Sequence, residues 1–287
     1  MITNDQTILL CSDLDRTLLP NGAEPESVLA RPLLQALAER DDICLAYVSG
    51  RDLQLLQQAI DEYRIPVPDF AIGDVGTTIY QIDDGEWRPW LEWQEHIAPD
   101  WNGYDHTALA GLLADMTGLW LQETAKQNRF KLSYYTPVDI DTEALLAVID
   151  ARLQPLAVKA SLIWSVDEAA NVGLLDILPL RATKLGAVQF LMQRFCFSEQ
   201  QTVFAGDSGN DLPVLTSGLR SILVRNAHPD VRREAMTSLS AAAQHSLYQA
   251  QGGFLGMNGN YAAGVLEGLV YFHPRLQAIL EEAAASV

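Results

Sequence analysis

Two aspartates separated by one residue, Asp13-Leu14-Asp15, end an apolar run, and a second acidic pair sits in Gly206-Asp207-Ser208-Gly209-Asn210-Asp211. Carboxylates two positions apart, where an extended chain turns, can address one volume, and their repulsion must then be offset. A hard divalent cation does this, since Mg2+ takes carboxylate, carbonyl and phosphate oxygens together. With phosphate charge neutralised, one carboxylate can attack phosphorus and form an acyl phosphate while the other protonates the departing sugar oxygen. Each motif alone has a plainer reading, because Asp at strand ends commonly caps helices and D-S-G-N-D is good turn composition. Position favours chemistry: the later motif follows a buried strand and opens a helix, and a second acidic pair is what completes a Mg2+ site with Asp13.

Two further groups suit a phosphate. Ser49 ends another strand, and its hydroxyl with the amide of Gly50 at a helix start would cradle an anion, although Ser before Gly is often only an N-cap. Lys184 lies in the first turn of a helix after Arg181-Ala182-Thr183. A formal net charge of -18 repels anions, so a phosphate site here needs local cations, and Lys184 can be one. The same charge argues against nucleic acid, whose binding draws on clustered Lys and Arg.

Placing these groups together is the task of the secondary structure. Ile8 to Ser12 and Ile43 to Val48 run continuously apolar, the pattern of strands buried on both faces. Helical patterns follow in Val28 to Arg40 and Leu53 to Tyr63; later come a helix over Lys184 to Phe195 and strands over Thr202 to Ala205 and Ile222 to Val224. Alternating strands and helices imply a parallel sheet, and ligands of such sheets bind beyond the carboxyl ends of the strands, where the polar clusters fall. Between the two halves lies a mixed α/β unit: a hairpin from Ala71 to Pro89, helices over Tyr104 to Met116 and Thr142 to Leu153, and strands near Leu119 to Glu123, Phe130 to Tyr135, Val158 to Trp164 and Leu174 to Leu178. The expected division is a Rossmann-like core of residues 1–86 and 180–287 and an inserted cap of 87–179, with seams near Trp87 and Pro179.

The four elements D-L-D-R-T, S-G-R, K and G-D-S-G-N-D, in this order and over nearly the whole chain, resemble the motifs of the haloacid-dehalogenase superfamily. By matching position the resemblance implies Asp13 as nucleophile, Asp15 as general acid/base, and Ser49 and Lys184 as phosphate ligands. It also implies an acidic metal site of Asp207 and Asp211, with Mg2+ held by Asp13, the main-chain carbonyl of Asp15 and that motif. The insertion lies where members with the larger α/β (C2B-type) cap carry theirs. Within that branch the chain is similar to sucrose-phosphate phosphatases, through Gly76-Thr77-Thr78-Ile79-Tyr80, Lys131-Leu132-Ser133-Tyr134-Tyr135, Leu175-Asp176-Ile177-Leu178-Pro179, Arg225-Asn226-Ala227-His228-Pro229 and Ala263-Gly264-Val265-Leu266-Glu267-Gly268. Two departures bear on the substrate: Arg16 stands where that family would carry Asn, and the stretch Val166 to Gly173 is longer.

The expected activity is Mg2+-dependent hydrolysis of a sugar phosphate, sucrose 6-phosphate first, through an aspartyl phosphate. Alternatives are phosphatases for mannosylfructose phosphate, glucosylglycerol phosphate or hexose phosphates, a phosphosugar mutase, and a non-catalytic sugar-phosphate sensor or partner of a sugar-phosphate synthase. Substrate-binding candidates are Ser49, Gly50, Lys184, Asn210 and, in the cap, Lys131, which with Asn128 could bond sugar hydroxyls or could be an exposed strand residue. Trp87, Trp90, Trp93, Trp101, Trp120 and Trp164 gather in and around the insertion, where large aromatics usually pack and sometimes stack on sugars. Cys11, Cys44 and Cys196 lack disulfide or metal spacing and are expected as buried free thiols. The histidines have no metal-ligand spacing. The start, Met1 to Gln6, lacks a basic n-region and no stretch reaches the ~18 apolar residues of a membrane helix, so a cytoplasmic protein is expected.

Overall fold

Residues Ile8–Ser12 form β1, buried along its whole length. Leu9 and Cys11 face one apolar cluster while Ile8 and Leu10 face another, so both sides of the strand are covered and its sequence cannot alternate. The structure is a computed structural model that describes residues 6–167, 170–240 and 243–286. The N-terminal Met1 to Asp5, part of the segment read above for a leader, lies outside the described residues.

After β1 come α1 (Ala30–Ala38), β2 (Ile43–Val48), α2 (Leu53–Tyr63), β3 (Phe70–Gly73), β4 (Thr78–Asp83) and β5 (Glu86–Pro89). The middle of the chain supplies α3 (Leu91–Ile97), α4 (His106–Leu113), β6 (Trp120–Leu121), β7 (Leu132–Thr136), α5 (Thr142–Leu153), β8 (Ala160–Asp167) and β9 (Val172–Pro179). The last part supplies α6 (Lys184–Phe195), β10 (Thr202–Gly206), α7 (Leu212–Leu215), β11 (Arg220–Leu223), α8 (Pro229–Ser238), β12 (Leu247–Gln249), α9 (Ala262–Phe272) and α10 (Leu276–Ala284).

An eight-stranded sheet runs in the order β12-β11-β10-β1-β2-β3-β4-β5, with β1 between β10 and β2 although β10 lies some 190 residues further along the chain than β1. Pairing is parallel from β12 to β3 and antiparallel for β4 and β5. Helices α1, α2, α9 and α10 cover one face, and α6, α7 and α8 the other. The inserted unit has its own antiparallel sheet, ordered β6-β7-β9-β8, backed by α4 and α5. This is an α/β fold with a Rossmann-like core sheet and an inserted α/β cap.

The segment read as a hairpin from Ala71 to Pro89 is three strands of the large sheet, β3 to β5, and not part of the smaller one. Trp87 therefore lies inside β5, and the chain leaves the large sheet after Pro89; Pro179 is the last residue of β9. Local alternation shows that such strands exist but not which sheet receives them. Trp93 and Trp101 are completely buried and Trp90 nearly so, and the Trp93 indole donates to the Gly76 carbonyl at 3.1 Å, so these three are packing residues that join the two sheets' cores. Trp120, by contrast, is exposed on the edge strand β6.

Cys11 and Cys44 are buried, but Cys196 is exposed, against expectation. It caps α6 in the left-handed conformation (φ 57°), where the chain reverses and its side chain turns to solvent while Phe197 takes the buried position. Of the longer stretch from Val166 to Gly173, Glu168 and Ala169 lie outside the described residues. Among the described residues no helix is long and apolar enough to cross a membrane.

Candidate active site

Three neighbouring strands of the large sheet, β2, β1 and β10, end side by side, and each delivers one of the polar motifs to the same edge. The ladder between β1 and β10 continues one residue beyond β1, where the Asp13 amide donates to the Ala205 carbonyl at 2.9 Å, which fixes the Asp13 backbone against the Gly206-Asp207 turn. Oxygens of Asp13, Asp207 and Asp211 lie within 4.8 Å of one another, and all three residues are buried. Lys184, presented by the first turn of α6 after the N-cap Thr183, reaches into this group. Its Nζ lies 2.7 Å from Asp13 Oδ1, 2.7 Å from Asp211 Oδ1 and 3.2 Å from Asn210 Oδ1.

The Asp211 carboxylate also builds the loop that carries it. Its Oδ2 accepts from the amides of Asp207 and Ser208 at 3.0 and 3.1 Å and from the Ser208 hydroxyl at 3.1 Å, closing a capping box at the turn into α7. Gly206 is the residue that permits this approach, for a Cβ there would stand 2.6 Å from Asp211 Cγ. Gly206→Ala should therefore displace Asp211 and lower phosphate release at least tenfold, a loss read from initial rates under saturating metal; wild-type rates in that variant would show that the turn has slack.

Crowding acids sets their proton affinity. Burial, reinforced by Asp211 and Asp207 and opposed by Lys184, pushes the Asp13 carboxyl up to about 7. Burial and Asp211 push Asp207 up to about 6 against the pull of Arg16, Thr17 and Lys184. Burial alone would depress Lys184, yet the charges of Asp211 and Asp13 outweigh it and hold the ammonium above its ordinary value. Acids raised by one another beside a single buried lysine form a site short of positive charge. The donors are hard oxygens, which fits Mg2+ better than a soft metal ion.

Asp15 is set apart from this triad. Arg51 grips its carboxylate with two hydrogen bonds, Nε to Oδ2 at 2.9 Å and Nη2 to Oδ1 at 2.6 Å, and Asn21 adds a third at 2.6 Å. Burial raises Asp15, but Arg51 and Asn21 outweigh it and hold the carboxyl below the usual range. Arg51 stands in the S-G-R motif, where nothing local assigns it a partner. The motif was visible, but the pairing across 36 residues was not. Thr17 was missed as well: its buried hydroxyl lies 3.2 Å from Asp13 Oδ2 and 3.4 Å from Asp207 Oδ1, joining the two motifs.

These groups open onto a cleft of about 500 Å³ lined by Asp13, Asp15, Ser49, Gly50, Asp207 and Asn210, with Arg16, Arg51 and His228 at its walls. Lys131 is not among its lining residues, and it is buried instead of exposed, its charge facing Asp74. Asn128 donates to the Thr77 hydroxyl at 2.8 Å and lines a second, polar pocket of about 350 Å³ at the seam between the sheets, with Asp52, Gln54, Gln57, Asp74 and Gln127. The first turn of α2 borders both pockets, with Leu55 lining one and Leu53 and Gln54 the other.

A parallel sheet with an aspartate pair, a serine, a lysine and an acidic loop at one edge, capped by an inserted α/β unit, defines a phosphatase of the haloacid-dehalogenase superfamily. The profile of the family described as Sucrose-6F-phosphate phosphohydrolase matches residues 6–273, nearly the whole chain, and the chain belongs to this family of sugar-phosphate phosphatases. It is 59% identical over 276 residues to a HAD-like hydrolase of Nitrosococcus oceani, covering 96% of this chain and 74% of that one. It is 28% identical over 262 residues to the mannosylfructose-phosphate phosphatase of Agrobacterium fabrum, covering 91% and 95% of the two chains. The sucrose-phosphatase structure from Synechocystis sp. PCC6803 superposes with a TM-score of 0.70 at 24% identity over 93% of this chain and 98% of that one, a likeness of fold.

Proposed function

We propose that this enzyme hydrolyses sucrose 6-phosphate to sucrose and phosphate, with Asp13 as nucleophile and Asp15 as general acid and then base. The observation that carries the reading is the convergence of Asp13, Asp207, Asp211 and Lys184 on one site, where Asp13 and Asp207 line the cleft and the buried Lys184 and Asp211 back them. Mg2+ would be held by Asp13, the main-chain carbonyl of Asp15, Asp207 and Asp211, and when bound would neutralise charge on the phosphoryl oxygens. Ser49, the Gly50 amide, Asn210 and Lys184 then hold the phosphoryl group facing Asp13.

Attack by an Asp13 oxygen on phosphorus forms the acyl phosphate and breaks the bond to the sugar oxygen, which takes a proton from Asp15. Water activated by Asp15 then attacks phosphorus, releases phosphate and restores Asp13. The Arg51 grip keeps Asp15 ionised at rest, ready for the second step; in the first, the incoming phosphate dianion competes for Arg51 and frees Asp15 to carry a proton. The inserted cap, which begins after Pro89 and ends with β9 at Pro179, closes over the sugar and excludes water while the acyl phosphate forms.

The second pocket supports a substrate larger than a hexose phosphate. A sugar whose phosphate lies against Asp13 can run along the first turn of α2 and place a second ring among Gln54, Asp74, Gln127 and Asn128. Lys131 bears on this pocket through Asp74: burial raises the Asp74 carboxyl, and the charge of Lys131 opposes that rise. The free, buried thiols of Cys11 and Cys44 suit a cytoplasmic setting.

Phosphate release should be measured with Mg2+ on sucrose 6-phosphate, mannosylfructose phosphate, glucosylglycerol phosphate and hexose phosphates, with chelator as control. Preferential turnover of sucrose 6-phosphate, lost with chelator, is the expected result. Preference for another sugar phosphate would reassign the substrate, isomer formation without phosphate release would make the chain a mutase, and binding without turnover would make it a sensor.

A further inference from the structure

Arg16 occupies a backbone conformation that its side chain does not favour. Its φ of 62° lies in the left-handed region, where Gly and Asn are the usual residues. The conformation is pinned from both sides: the Arg16 amide donates to Asn21 Oδ1 at 2.8 Å, and the Arg16 carbonyl accepts from Asn226 Nδ2 at 2.6 Å. Strain of this kind at the mouth of an active site points to a use for the side chain.

The side chain folds over the acidic triad. Its Nε lies 3.3 Å from Asp207 Oδ2 and its Nη2 3.4 Å from the Asn226 carbonyl, while 47% of its surface remains open to the cleft. Asp13 and Asp211 share Lys184, so Arg16 supplies the compensating charge for the third carboxylate. It stands on the β10–β11 side of the site, beside Asn226 at the end of β11, whereas Ser49 and Gly50 come from the opposite side, after β2. That places a permanent positive charge on the carboxylate that would bind the divalent cation.

We infer that Arg16 is a resident counter-ion of Asp207 that weakens the site's affinity for its divalent cation. The inference rests on the reading of Asp13, Asp207 and Asp211 as that cation's ligands. Two cations cannot share one carboxylate edge without repulsion, and a guanidinium cannot lose its charge to make room. Arg16 thereby keeps the acidic triad partly neutralised in the absence of metal and lowers the hold on the metal when it arrives.

Binding of Mn2+ to the full chain, read from the electron paramagnetic resonance signal of the free ion, tests this without turnover. Arg16→Asn removes the charge with a residue that tolerates the backbone, and should lower the Mn2+ dissociation constant roughly tenfold. Arg16→Lys keeps the charge and should stay within about twofold of wild type, a distinction that a purely structural role would not produce. An unchanged or weakened affinity in Arg16→Asn, with wild type binding Mn2+, overturns this inference alone. Wild type that binds no Mn2+ overturns both the inference and the metal reading beneath it.

Discussion

Asp13→Asn will reduce phosphate release by at least about a thousandfold while leaving the fold intact, because it removes the attacking oxygen and nothing that the core needs. The residue is buried, but its neighbours keep other partners when its charge is removed. Lys184 retains Asp211 at 2.7 Å, Thr17 retains Asp207, and the amide that ties Asp13 to Ala205 is unaffected. Losing one of three crowded carboxylates also removes a group that burial, reinforced by the charges of Asp211 and Asp207, pushes up to about 7. Steady-state phosphate release and thermal unfolding of the same preparation check both halves of this expectation. A variant that kept a tenth of the wild-type rate would rule out Asp13 as the nucleophile, whatever its stability.

Lys184→Met should lose activity to a similar degree and, unlike Asp13→Asn, destabilise the metal-free protein by about 3–5 kcal/mol, as breaking a buried ion pair does. Its side chain is only 10% exposed and it is the sole cation shared by Asp13 and Asp211 among the described residues. The loss will depend on pH with a definite sign. Asp13 already binds its proton more tightly folded than unfolded, and removing Lys184 strengthens that preference. A raised carboxyl contributes stability that is complete below its unfolded value and disappears as pH rises through the folded one. The deficit of the variant should therefore be small near pH 4 and grow through pH 7. Divalent cation should stabilise the variant over its own metal-free form, by about 2.7 kcal/mol at a hundredfold excess over the dissociation constant. Chemical denaturation at pH 4 and pH 8, with and without Mg2+, reads all three effects, and equal stability to wild type in chelator at pH 8 would refute the account.

The sequence by itself determined which residues could do chemistry and on which kinds of element they stand. Continuous apolar runs specified β1 and β2 because strands buried on both faces leave no polar register, and the motifs after them could be read from adjacent residues alone. The helix carrying Lys184 was legible down to its first residue, since its Thr183 cap and its apolar spacing are local signals. Each of these features is fixed within about a dozen residues, the range over which periodicity and capping act.

What only the tertiary structure decided is how those elements meet. The order β10-β1-β2 brings positions 13, 49 and 207 to one edge, and no local pattern specifies which strands become neighbours. The same long-range pairing assigns β4 and β5 to the large sheet, buries Lys131 beside Asp74, and turns Cys196 outward at a helix end. It also sets Arg51 on Asp15 and Arg16 on Asp207. Residue type gives a side chain its charge and reach, but the partner it finds, and so its proton affinity and its use, depends on which distant segments the fold has placed within about 4 Å.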